Sequence, residues 1–376
     1  MKPLKPETLA AQAVDAIDRR IGGPVSPRID LTTTYARDDQ YVLHGPMYAR
    51  DENRLYQTIE DVLMRLEGGA GAMVFPSGMA AATAAIRAHL RPGDHMIAPR
   101  VGYFAVRNWT QRFCARWGVD VDTVDTTNLD AVRAALRPGK TKLVWFETPA
   151  NPTWDVTDIE GVCDLAHAAG ARVAVDSTCA TPVLTRPIEL GADLVMHSAT
   201  KYLAGHSDVL AGALITRADD EVWAELKTIR HDEGPMLGPM EAYLLLRGMR
   251  TLYVRVEKQC RTAMSLAERL VEVADQVLYP GLWTHPQCEV ARRQMKGGFG
   301  GMLSIRTGHG ASRALSVVKR LRLWVPATSL GGVESLVEHR ASVEGPNSPT
   351  PDDLLRLSVG LEHEDDLFDD LAGALK

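Results

Sequence analysis

The residues best suited to chemistry lie in one run, His197-Ser198-Ala199-Thr200-Lys201-Tyr202-Leu203-Ala204-Gly205-His206-Ser207-Asp208. It follows a short apolar stretch, Ala192-Asp193-Leu194-Val195-Met196, that reads as a buried strand. Most lysines are solvated and protonated. An amine fixed at a strand end beside Ser198 and Thr200 can instead be desolvated, lose its proton and attack a carbonyl carbon, giving a Schiff base. Lys201 is therefore the candidate nucleophile.

Other polar segments follow apolar runs in the same way. Pro76-Ser77-Gly78-Met79 comes after Ala72–Phe75 and opens an Ala-rich helix, so the N–H groups at Gly78 and Met79 form a ready anion site, or Ser77 is a simple helix cap. Glu147-Thr148-Pro149-Ala150-Asn151-Pro152 follows Leu143–Phe146; Asn151, held between prolines, is either a donor to a ligand oxygen or part of a bare turn. Asp176-Ser177-Thr178 follows Arg172–Val175. A buried carboxylate at Asp176 needs a cationic partner, such as a protonated ring nitrogen, unless it is an N-cap or a structural ion pair. In open α/β sheets ligands sit outside the carboxyl ends of the strands, where all these segments converge.

The elements that position them read as alternating strands and helices. Leu55, Ile59, Val62, Leu63 and Leu66 keep helical spacing up to Gly68-Gly69. Further strands are expected at His95–Ala98, Val119–Val124 and Gly212–Ile215, and helices at Tyr103–Trp117, Leu129–Leu136 and Asp158–Ala169. This pattern predicts an α/β fold with a large, mainly parallel sheet covered by helices on both faces. Beyond Gly234-Pro235 and Gly238-Pro239, one long helical stretch over Met240–Leu270 leads into a smaller C-terminal α/β region. There Gly297-Gly298-Phe299-Gly300-Gly301 precedes the strand Met302–Ile305, so it reads as a turn and not as a dinucleotide fingerprint. The acidic tail from Asp365 reads as an amphipathic surface helix. The divisions expected are an N-terminal arm at 1–50, without sustained periodicity, a large domain at 51–235 and a small domain at 236–376.

Bulk properties narrow the class. The 376 residues are 45% hydrophobic and 24% charged, ordinary for a soluble globular protein. A net charge of -6 gives no basic field for nucleic acid or anionic membranes. No apolar run follows the N-terminal lysines, so no signal peptide is expected, and the most apolar window, Ala80–Ala88, is too short to span a bilayer. Five scattered cysteines without CxxC spacing fit a reducing cytoplasm, and no metal-ligand spacing is present.

The run HSATKYLAGHSD, with FETPANP (146–152), VDST (175–178), SLGGVESL (329–336), RGMRTL (247–252) and LLRLSVGLE (354–362), resembles the Cys/Met-metabolism enzymes that use pyridoxal phosphate. The resemblance runs from about Met47 to the C-terminus, several motifs in order. It implies a type I aminotransferase-like fold, the PLP-dependent transferase architecture, with Lys201 as the cofactor lysine that also moves the Cα proton. Asp176 would partner the pyridine nitrogen, and Thr178 would lie near one ring face. Ser198, Thr200, Gly78 and Met79 would hold the phosphate. Tyr103 would stack on the ring and serve proton transfer.

The segment Met47-Tyr48-Ala49-Arg50 resembles the family's Tyr-x-Arg, implying that Tyr48 and Arg50 reach the phosphate of a neighbouring subunit in a dimer, usually paired into a homotetramer. Arg356 would grip the substrate α-carboxylate, with Asn151, Ser329 and Thr328 also on the substrate side. Departures from the family pattern are Asn53-Arg54-Leu55 after the arm, Ser177-Thr178-Cys179 after Asp176, and Thr328 where glutamate is frequent. The implied reaction is γ-elimination or γ-replacement on a sulfur-containing or O-acylated amino acid, of the cystathionine γ-synthase or γ-lyase type. Alternatives are a cystathionine β-lyase, a methionine γ-lyase, a γ-replacement enzyme of secondary metabolism, or, outside catalysis, a binding subunit of the same fold. A nicotinamide-dependent oxidoreductase lacks its fingerprint at the first strand–helix turn.

Overall fold

Seven short strands build the first sheet: β1 (Gly71–Phe75), β2 (His95–Pro99), β3 (Asp120–Val124), β4 (Thr141–Glu147), β5 (Arg172–Asp176), β6 (Leu194–His197) and β7 (Gly212–Thr216). The structure is a computed structural model and describes residues 4–13, 17, 20–345 and 350–376. The strand order is β1-β7-β6-β5-β4-β2-β3. Strands β2 to β6 are parallel, while β7 runs antiparallel to both β6 and β1. Because β1 opposes the one reversed strand, it points the same way as the centre of the sheet. Its carboxyl end therefore meets those of β4, β5 and β6 along one edge. The reversal also brings the start of β7 to that edge, directly behind the loop that follows Lys201.

Helices cover both faces, as the alternation predicts. On one side the predicted stripe Leu55, Ile59, Val62, Leu63 and Leu66 is buried on helix Arg54–Glu67, which starts at an Asn53 cap and ends at Gly68 in the left-handed conformation. On the other, helices Gly78–His89, Phe104–Trp117 and Glu221–Glu233 pack around Phe75, Met96, Trp145 and Leu214. The last of these helices was not legible in sequence. Its start depends on Asp220 accepting from the N–H groups of Val222 and Trp223, and few apolar residues mark its buried face.

A second sheet contains β8 (Gln276–Leu278), β9 (Met302–Arg306), β10 (Val325–Pro326), β11 (Leu336–His339) and β12 (Leu354–Ser358), in the order β10-β11-β12-β9-β8. It has its own apolar core against helices Leu252–Leu270, Gly310–Arg320 and Glu364–Leu375. The C-terminal helix is amphipathic as expected, with Leu367, Leu371 and Leu375 turned inward.

Two expectations need correction. The helical stretch Met240–Leu270 is two helices, Pro239–Met249 and Leu252–Leu270. The first stops where Gly248 meets the backbone of Ala204; a Cβ there would stand 2.1 Å from the Ala204 carbonyl oxygen. The Thr251 hydroxyl then bonds the Gly248 carbonyl at 3.1 Å and competes with helix continuation. The apolar period continues across the break, so the pattern alone hides it. The arm also holds a helix, Pro6–Gln12, whose Leu9 and Ala10 join the core beside Leu55 and Ile59.

Candidate active site

A cavity of about 200 Å³ opens at the shared carboxyl edge, between the large sheet and the turn that carries Ser329 and Leu330. Lys201 enters it from the turn after β6. That turn is closed by bonds from Lys201 N to Ser198 O (3.0 Å) and from Gly205 N to Lys201 O (2.7 Å). Beneath it the buried Arg255 donates to the carbonyls of Tyr202 and Gly248, both at 2.8 Å. Gly205 has a φ of +71°, and a Cβ there would collide with Arg255, so only glycine fits. The Lys201 Nζ donates to the Ser329 hydroxyl at 2.8 Å. Burial, helped by the nearby Arg356 charge, lowers its pKa to about 8.

Asp176 ends β5. Its Oδ1 accepts from the Thr178 N–H at 3.0 Å and from the Thr178 hydroxyl at 2.5 Å. The same hydroxyl accepts from Ser198 N–H at 2.8 Å, tying the end of β5 to the end of β6. Asp176 is buried and makes no ion pair among the described residues, and burial raises its pKa. A ligand cation beside this carboxyl would offset the cost of its burial and favour its ionised form. Beside it, Gly78 and Met79 present the first N–H groups of helix Gly78–His89, after the Ser77 cap on Ala80 N–H. Gly78 lies so close to Ser198 that a Cβ would come within 2.7 Å of its Oγ. Thr200 also lines the cavity, its hydroxyl bridging the N–H and carbonyl of Ala211 at 3.0 and 3.1 Å. Tyr103, 40% exposed, stands at the rim at the start of helix Phe104–Trp117.

On the far side Arg356 projects from β12, opposite Glu338 on β11. It pairs with Glu338 at 2.9 Å, donates to the Ser329 carbonyl at 2.5 Å, and contacts Asn151 Oδ1 at 3.4 Å. Burial lowers its pKa to about 10. Ser329 holds a left-handed φ of +86°, which lets its hydroxyl face Lys201 while its carbonyl faces Arg356. Thr328 lines an adjoining wider cavity of about 590 Å³, which shares Thr200 and Leu210 with the first. The structure thus brings together all the expected site residues except Tyr48 and Arg50. Those two stack on each other, with the guanidinium carbon 5.4 Å from the ring centre, and line neither cavity.

One residue was missed. Glu147, at the end of β4, is the register neighbour of Asp176 and lines the cavity. Burial, and then the Asp176 charge, pushes its pKa up to about 8. Its signal was the one that marked Asp176, a carboxylate ending an apolar strand.

The family model described as Cys/Met metabolism PLP-dependent enzyme matches residues 7–376. The chain belongs to this family. Among its relatives, cystathionine γ-synthase of Mycobacterium tuberculosis is 43% identical over 361 residues, covering 94% of this chain and 92% of that protein. L-Methionine γ-lyase of Porphyromonas gingivalis is 41% identical, covering 88% of this chain and 85% of its own length. A crystal structure of cystathionine γ-synthase from Xanthomonas oryzae, in complex with aminoacrylate and cysteine, superposes with a TM-score of 0.94 at 36% identity, covering 100% and 98% of the two chains. The cofactor of this family is pyridoxal phosphate, and the residues present fit it. The desolvated Lys201 amine suits its aldehyde, the unpaired Asp176 its ring nitrogen, and the cradle kept open by the missing Cβ of Gly78 its phosphate.

Proposed function

We propose that this member of the family acts at Cγ, by elimination or replacement on a sulfur-containing or O-acylated amino acid, in the manner of a cystathionine γ-synthase or γ-lyase. Bound at Lys201, pyridoxal phosphate supplies an electron sink for charge that develops at Cα. Asp176 keeps the ring nitrogen protonated, and Thr178 holds the carboxylate in place. Gly78, Met79, Ser198 and Thr200 bind the phosphate, and Tyr103 covers the ring. Arg356, with Asn151 and Ser329, orients the substrate through its α-carboxylate. The Lys201 amine, neutral above a pH of about 8, takes the Cα proton. Thr328 borders the space left for the γ-substituent.

The observation that carries the chemistry at Cα is Ser329, which bonds Lys201 through its hydroxyl and Arg356 through its carbonyl, while the choice of Cγ is supported by the likeness to cystathionine γ-synthase and methionine γ-lyase. A proton-moving amine and a carboxylate-binding guanidinium thus sit on one residue's two sides. The test is product analysis by mass spectrometry after the holoenzyme is given L-cystathionine, and separately an O-acylated homoserine with cysteine. The expected products are 2-oxobutanoate and cysteine from the first, or cystathionine from the second. Pyruvate with homocysteine would place cleavage at Cβ and overturn the reading.

The assembly proposed is a homotetramer built from active dimers, in which Tyr48 and Arg50 serve the neighbouring subunit's phosphate. Support comes from the arm, where Ile21, Leu31 and Tyr41 are 108%, 73% and 78% exposed, apolar surface that a second copy would cover. Five buried, unpaired cysteines support a cytoplasmic setting.

A further inference from the structure

We propose that Glu147 is a positioning residue of this site, a single carboxylate that fixes the ring-covering Tyr103 and the substrate-side Asn151 relative to each other. The proposal rests on the roles given to those two residues above. One Glu147 oxygen accepts from the Tyr103 N–H at 2.8 Å and the other from the Asn151 N–H, also at 2.8 Å. Tyr103 begins a helix and Asn151 lies in a turn, so neither N–H takes part in a sheet ladder.

These two bonds complete a closed circuit of contacts. The Tyr103 ring meets the Phe104 ring edge-on at 5.3 Å, and the Arg340 guanidinium lies 5.3 Å from the Phe104 ring centre. Arg340 pairs with Glu338 at 2.9 Å, and Glu338 pairs with Arg356 at 2.9 Å. Arg356 reaches Asn151 at 3.4 Å, and Asn151 returns to Glu147. Glu147 is the member that joins Tyr103 directly to Asn151, whereas the other route runs through Phe104, Arg340, Glu338 and Arg356. A buried carboxylate next to Asp176 is a costly choice for a merely structural bridge. Accepting one N–H at each of its two terminal atoms is what a carboxylate does and a carboxamide, with an NH2 in place of one oxygen, cannot.

The test uses the holoenzyme, E147Q, E147D, Y103A and the double variant E147Q/Y103A. The readouts are the visible circular dichroism of the bound cofactor, its dissociation constant, and kcat and KM. E147Q turns one donor against a donor. It is expected to weaken cofactor affinity, and the cofactor dichroism with it, by on the order of tenfold, and also to lower the melting temperature because a buried N–H loses its acceptor. In the Y103A background the same change should have little further effect, because Tyr103 is the residue through which Glu147 acts. E147D keeps both carboxyl oxygens on a shorter side chain and should lose part of the same cofactor affinity; should E147Q not fold, an E147D affinity equal to the parent's would overturn the proposal. Unchanged dichroism and affinity in E147Q, or equal losses with and without the Tyr103 side chain, would overturn the proposal. A wild-type protein that binds no cofactor chromophore would overturn the proposed function instead, so the two failures are distinguishable.

Discussion

The amine of Lys201 and the hydroxyl of Ser329 lie 2.8 Å apart although 128 positions separate them, and this bond links the turn after β6 to the segment between β10 and β11 of the small sheet. Ser329→Ala removes the acceptor and leaves the amine free to swing. The expected result is a kcat about tenfold lower with the cofactor still bound, and a cofactor-free protein destabilised by about 1 kcal/mol in denaturant unfolding. An unchanged kcat would show that Lys201 is oriented without Ser329.

Protonation of Lys201 sets a pH dependence. Its folded pKa of about 8 lies below the ordinary 10.5, so between these values the unfolded chain binds more protons than the folded one. The cofactor-free protein should therefore gain stability as pH rises through that window, and the penalty of charging the buried amine should be fully present below a pH of about 8. Comparison with Lys201→Met isolates the effect, since the variant lacks this slope. The rate of cofactor capture should rise through the same lower pH and then level off, which stopped-flow absorbance would follow.

Gly78→Ala places a methyl within 2.7 Å of the Ser198 Oγ and within 2.8 Å of its Cβ. Overpacking of this kind costs about 1–3 kcal/mol. Here it also closes the phosphate cradle, so cofactor affinity should fall at least as steeply as stability. Equilibrium dialysis against pyridoxal phosphate, set beside thermal melting, measures both.

How much of this was readable in advance depended on whether a residue's surroundings were local. Lys201 and Asp176 stood out because a charged side chain ending an apolar strand is visible within a few residues. Glu147 carries the same mark, at the end of the apolar run Leu143–Phe146, but its two N–H partners are set by the fold of the Tyr103 and Asn151 segments. The Glu338–Arg356 pair had no such mark. Its members face each other only through the antiparallel register of β11 and β12, which no local pattern specifies. The break at Arg250-Thr251 was hidden because both helices bury one continuous apolar stripe, and the reason for it, contact between Gly248 and Ala204, is tertiary.

Arg50 and Lys201 can be separated by mixing subunits. If Arg50 serves the neighbouring site, Arg50→Ala and Lys201→Ala homo-oligomers are each impaired, and a dimer of one with the other contains one intact site. Refolding the two variants together at equal concentration should then restore about a quarter of wild-type activity, given random pairing in a two-fold dimer. No recovery would place Arg50 in service of its own subunit.

The reversed strand β7 has a consequence for the order in which the protein is made. The segments proposed to hold the cofactor, from Gly78 through Asp176 to Lys201, all precede β7, whereas Ser329 and Arg356 belong to the chain that follows it and, of the substrate-side residues, only Asn151 comes earlier. During synthesis from the N-terminus the proposed cofactor half of the site leaves the ribosome first, and Ser329 and Arg356 are added last. A growing chain thus carries the residues proposed for pyridoxal phosphate before it has Arg356 to bind a substrate carboxylate, and its Lys201 amine gains its Ser329 tether only once the C-terminal sheet is in place.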